Sequence, residues 1–130
     1  MKAVKLDDVD TIAVCTPDNS GRLIGKRIPK DRWVEIHHEG MLMPNFHLVT
    51  NIENEPHTDM EVAGYATGFK NGRLYAVDKQ LRWMPFEERT ALSLADVHDS
   101  DGSKVPEAPR SILKHQIECL ADIGLSADCA

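Results

Sequence analysis

Residues 11–29 read as a β-hairpin, and the rest of the chain has to be read as what lies against it. Ile12 and Val14, with Thr16, alternate with small or polar neighbours as a half-buried strand requires. Pro17, Asp18, Asn19, Ser20 and Gly21 then tolerate turn geometry and left-handed φ. A second strand is expected over 23–28. Pro29 closes it, because proline has no N–H for the ladder, and it sits well just ahead of a helix.

The later segments supply partners for this hairpin. The first ten residues are short and polar and are expected to stay irregular. Trp33 and Ile36 lie three apart before Gly40, which predicts a short amphipathic helix over 30–39 with Trp33 plugging the core. Residues 41–49 are apolar but interrupted by Pro44 and Asn45, as suits a bend or an edge strand. An acidic loop follows over 51–61, carrying Glu53, Glu55, Asp59 and Glu61; loops of this length often carry function.

Residues 64–69 are expected to be extended, and strands are expected over 73–78, 81–86 and 90–97. The last is apolar on both faces through Ala91, Leu92, Leu94, Ala95 and Val97, the mark of a central strand covered on each side. Pro109 occupies a favoured first helical position, and Ile112, Leu113, Ile117, Leu120 and Ile123 recur at helical spacing up to Gly124. That stripe is expected to lie on the sheet, with a core of Trp33, Leu92, Leu94, Ile112, Leu113, Ile117 and Leu120. The pattern gives an α+β class, a mixed or antiparallel sheet covered by helices. At 130 residues it makes one domain spanning 1–130.

Composition narrows the function. A net charge of −6 with 15 Lys and Arg spread along the chain provides no basic stripe for phosphates, so no nucleic-acid partner is expected. No window approaches the ~18 unbroken apolar residues of a membrane span, and 1–8 lack a signal sequence, so no membrane association and a cytoplasmic location are expected. The three cysteines are far apart and form no C-x-x-C pair; Cys15 and Cys119 are read as small core residues.

Motifs for phosphate or metal are missing. Gly64 and Gly68 lack the Lys-Ser/Thr of a phosphate loop, and His37, His38 and Glu39 are adjacent on a helix and diverge by ~100°, so they do not converge on one ion. Asp99 and Asp101 do not continue into a calcium loop, because Pro106 and Pro109 intervene. No metal site, no catalytic residue and no cofactor are therefore assigned within these residues.

Asp18, Gly21, Gly25, Lys26 and Pro29, followed by Arg82, Trp83, Met84, Pro85 and Phe86, and then by Pro109 and Arg110 ahead of the last helix, form an ordered set of landmarks from Thr11 to Gly124. Together they resemble the N-terminal domain of the glutamine synthetase family. The resemblance implies a β-grasp-like mixed sheet, with the catalytic domain absent from these 130 residues. It also implies an ATP-dependent ligase joining ammonia or an amine to the γ-carboxylate of glutamate. ATP and Mg or Mn would be cofactors of the full-length enzyme only. The implied partners are the catalytic domain of the same subunit and that of the neighbouring subunit in a homo-oligomeric ring.

The family carries an Asp in a Phe-Asp-Gly-Ser-Ser motif near its ammonium site. This chain departs from it, with Met43, Pro44, Asn45, Phe46 and His47 at the corresponding place. Asn45, Asn51, Glu53 and Glu55 are the candidate amine-side residues. The other reading of the same sequence is a stand-alone β-grasp interaction module that catalyses nothing.

Overall fold

In the computed structural model, which describes residues 4–77 and 81–127, the alternation at the start of the chain becomes β1 (Thr11–Pro17), paired antiparallel with β2 (Leu23–Pro29) from Thr11 opposite Pro29 to Pro17 opposite Leu23. A single 3-10 turn (Lys30–Arg32) leads into α1 (Trp33–Glu39), which ends at Gly40. Then come β3 (Met41–Pro44), β4 (Asn71–Ala76), β5 (Arg82–Trp83), β6 (Thr90–His98) and α2 (Pro109–Asp122). The sheet order is β2-β1-β6-β4-β3, with β5 also on β6. All neighbours are antiparallel except β1 and β6, which run parallel from Thr11 opposite Thr90 to Cys15 opposite Leu94. This is the expected α+β class, with the β-grasp-like mixed sheet that the resemblance implies.

The nine residues of β6 organise the sheet. β1 lies along its first half; on the other edge, Arg82 and Trp83 of β5 face Leu92 and Ala91, and β4 takes the second half from Ala76 opposite Ala95 to Arg73 opposite His98. Alternation sends Ala91, Ala95 and Val97 to a buried face, where they join Ile12, Val14, Leu74, Met41, Met43, Leu48 and Trp33 in one apolar cluster. Trp33 does plug the core, and 41–44 is the edge strand that Pro44 suggested.

Several expectations are corrected. Residues 6–8 form a 3-10 turn, and a second turn occupies 65–67 where an extended segment was expected. The strand expected over 81–86 pairs only at Arg82–Trp83, because Phe86 and Arg89 take positive φ (66° and 48°) and leave the ladder. Cys119 is exposed, whereas Cys15 is buried. Asp78 and Cys129 lie outside the described residues.

The largest correction concerns α2, none of whose residues is buried. Ile112 and Leu113 are 49% and 48% exposed, and Leu92, Leu94, Ile117 and Leu120 are half-buried. Alternation on β6 puts Asp96 on the same face as Leu92 and Leu94. Arg110 Nε donates to Asp96 Oδ1 at 2.8 Å, and Lys114 pairs with Oδ2. The turn of α2 nearest the sheet is therefore held by a charged clasp, which leaves Ile112 and Leu113 to the side. Burial works to raise the Asp96 pKa, but the hydrogen bonds and charges of Lys114 and Arg110 outweigh it and hold it low. The clasp's contribution to stability is thus present above the ordinary aspartate pKa and is lost as the pH falls below it toward the lower, folded value.

Candidate functional site

The turn of the first hairpin is not a bare connection. Asp18, 2% exposed, accepts from the backbone N–H groups of Ser20 and Arg22 through Oδ1, at 2.9 and 2.8 Å, and from Arg22 Nε through Oδ2 at 2.7 Å. The remaining donors of the same guanidinium reach across to the acidic loop, Nη1 to the Ile52 carbonyl at 2.9 Å and Nη2 to the Asn51 carbonyl at 3.1 Å. Asn19 Nδ2 donates to the Leu48 carbonyl just upstream. The turn therefore carries the chain from 48 to 52. Burial acts to raise the Asp18 pKa, but the Arg22 and Ser20 hydrogen bonds and the Arg22 charge hold it below its usual value.

The loop is also closed on itself. Asn51 Oδ1 accepts from the N–H groups of Glu53 (3.0 Å) and Glu55 (2.9 Å), and Asn51 N–H donates to the Glu55 carbonyl at 2.9 Å. Asn54 takes φ 66°, which asparagine tolerates, and His57 N–H donates to the Val49 carbonyl at 2.8 Å. Glu53 and Glu55 are left exposed at the tip.

Upstream, β3 ends in a 3-10 turn (Asn45–Val49) whose polar side chains point inward. Asn45 is 1% exposed; its N–H donates to the Lys70 carbonyl, and its Oδ1 has no hydrogen-bond partner among the described residues. It forms the floor of a hollow of about 310 Å³ whose walls include Glu61, Lys70, Asp99, Lys104 and Glu107. His47 is 2% exposed with Nδ1 2.8 Å from the Pro44 carbonyl. A carbonyl only accepts, so Nδ1 carries the proton and Nε2 is a buried lone pair without a partner.

No protein-family model matches the chain. Among curated proteins, γ-glutamylethanolamide synthetase GlnA4 of Streptomyces coelicolor is 33% identical over 125 residues, covering 95% of this chain. Among solved structures, a glutamine synthase homologue superposes at TM-score 0.71 with 18% identity over 95% of this chain and 29% of its own. A GmaS–ADP complex superposes at 0.67 with 19% identity over 89% of this chain and 24% of its own. Over nearly its whole length the chain is similar to members of the glutamine synthetase family. It spans 27% of the length of GlnA4, and what it shares with the solved structures is the fold, the expected β-grasp-like mixed sheet.

In this structure the four sequence candidates fall into two groups. Glu53 and Glu55 share one loop tip, with Asn51 beneath them as its internal brace. Asn45 lies apart, buried at the start of the preceding 3-10 turn. Sequence reasoning missed Arg22, His47 and the engagement of Asp18. An Arg four residues after a turn Asp was the available signal for the first, and a His inside the apolar run 41–49 for the second. The described residues contain no group of three His, Cys, Asp or Glu able to hold a metal ion, and no helix long and apolar enough to cross a membrane.

Burial holds the His47 pKa below its ordinary value of 6.5, against the opposing effects of the Pro44 hydrogen bond and the Asp18 charge. Just below pH 6.5 the unfolded chain therefore takes up a proton that the folded chain refuses. His47's contribution to stability is whole above that pH and declines as the pH falls toward the lower, folded value. Denaturant melts of wild type between pH 7 and pH 5 are expected to show this decline. His47→Gln, which keeps an N–H donor but does not titrate, should flatten it; an unchanged pH slope would show that His47 is not the titrating group.

Proposed function

We propose that this chain is the N-terminal domain of an ATP-dependent ligase that joins an amine to the γ-carboxylate of glutamate, and that the 51–55 loop contributes the amine side of an active site shared between subunits. The observation that carries the reading is the 33% identity to a γ-glutamylethanolamide synthetase along nearly the whole chain. On the family resemblance, ATP and Mg or Mn are assigned to a catalytic domain outside this chain. There ATP supplies the phosphoryl group that activates the γ-carboxylate. The exposed stripe at Ile112 and Leu113 gives that catalytic domain, in the same subunit, an apolar surface to rest on.

This domain's own part is recognition. A primary amine is a cation at neutral pH. Glu53 and Glu55, exposed at the loop tip, draw it in by a field that salt screens over ~8 Å. Asn45 stands where the family carries its ammonium-side Asp, and a neutral amide neither attracts a cation by charge nor takes its proton at neutral pH. An alkylamine larger than ammonia is therefore the proposed acceptor.

The test measures glutamate-dependent ATP turnover by the longer ligase containing this domain, with ammonium, ethanolamine and a diamine, at two salt concentrations. Neutralising both Glu53→Gln and Glu55→Gln should raise KM for the amines about threefold to tenfold and weaken the salt dependence. A preference for ammonium that ignores both substitutions would reject the amine reading.

A further inference from the structure

The loop that carries Glu53 and Glu55 is held by a cation. A lone arginine beside two carboxylates would pair with them and cancel the field they present, yet Arg22 does not. Its Nε and Nη2 meet Asp18 Oδ2 at 2.7 Å, and its other loop contacts are the neutral carbonyls of Asn51 and Ile52. Asp18 in turn is 2% exposed and saturated by two backbone N–H groups of its own turn, so it stays with Arg22. Glu53 and Glu55 make no ion pair among the described residues.

We propose that Asp18 and Arg22 form an electrically neutral clamp that positions the 51–55 loop for a cationic amine while leaving the charges of Glu53 and Glu55 unspent. The inference rests on the ligase reading above and deepens it, making Arg22 and Asp18 positioning residues for amine specificity. Two parts of the clamp are separable. The planar fork of Arg22 bridges three acceptors at once, which a single lysine ammonium cannot reproduce at the same reach. The charge of Asp18 keeps that fork from turning to the glutamates.

Two variants test the two parts. In this chain, Arg22→Lys keeps the charge but loses the fork, so hydrogen exchange at the Glu53, Glu55 and His57 amides should quicken at least about tenfold, with β1 and β6 amides unchanged as a check on folding. In the longer ligase the same variant should raise KM for ethanolamine about threefold to tenfold while kcat falls less. Asp18→Asn releases an uncompensated guanidinium beside the loop. KM for the cationic amine should then rise and lose most of its salt dependence, an effect that a merely structural role would not produce.

Unchanged loop exchange in Arg22→Lys would overturn the clamp. So would loop exchange that quickens while KM and its salt dependence stay at wild-type values, with ATP turnover intact. Absence of glutamate-dependent turnover in the wild-type ligase is a different failure, since it removes the ligase reading itself and the amine role with it.

Discussion

Leu74→Ala is expected to lower the unfolding free energy by about 2–5 kcal/mol, and Leu113→Ala by less than about 1 kcal/mol. Leu74 is fully buried in the middle of β4, between Met41 of β3 and Val97 of β6, so truncation opens a cavity that three rigid strands cannot collapse around. Leu113 is 48% exposed on α2, and removing its side chain takes away contacts that water already shares. Urea melts of the two variants decide between this arrangement and a helix seated on the sheet by its apolar stripe. Equal losses in the two variants, or the larger loss in Leu113→Ala, would place α2 in the core.

Gly72→Ala is expected to destabilise the fold by about 1–3 kcal/mol, the usual cost of overpacking, and to disturb the turn that begins at Asn45. A Cβ at residue 72 would fall 2.2 Å from Asn45 Oδ1 and 2.3 Å from the carbonyl oxygen of His98. The second of these is backbone and has no rotamer with which to move away. Either β4 shifts against β6 or the 3-10 turn that begins at Asn45 lifts from β4. Amide exchange separates the two outcomes, because Asn45 N–H is bonded to the Lys70 carbonyl and is released only in the second. A variant as stable as wild type would mean that this close approach is not required.

Much of this domain was legible because local chemistry and tertiary context agree. Asp18 to Gly21 favour a turn, and Pro29 and Gly40 punctuate the elements they flank. Pro44 marked an edge, and an edge is where β3 lies. For α2 the period of the stripe and the sheet as its neighbour were right, and the burial expected of Ile112 and Leu113 was wrong. Periodicity shows that Ile112, Leu113 and Ile117 share a side, but not that the opposite wall contains Asp96, whose charge draws Arg110 and Lys114 inward instead.

The candidate site divides in the same way. That 51–61 is an acidic loop is plain from its composition. That Asn51 braces it from within, and that Arg22 fastens it to a turn some 30 positions earlier, depends on pairings across |i−j| of 29 and 30, which no local pattern encodes.

By itself, then, the sequence determined the hairpin, the short Trp33 helix, the central strand and the family resemblance. These follow from the dihedral limits of Pro and Gly, from alternation, and from landmarks in a fixed order. Only the tertiary structure decided which face of β6 is sealed, which side of α2 meets it, and that Asp18 neutralises Arg22 so that two glutamates remain exposed at the loop tip. Those outcomes depend on where distant charges and side chains meet once the sheet has closed, and burial and ion pairing are set by that meeting.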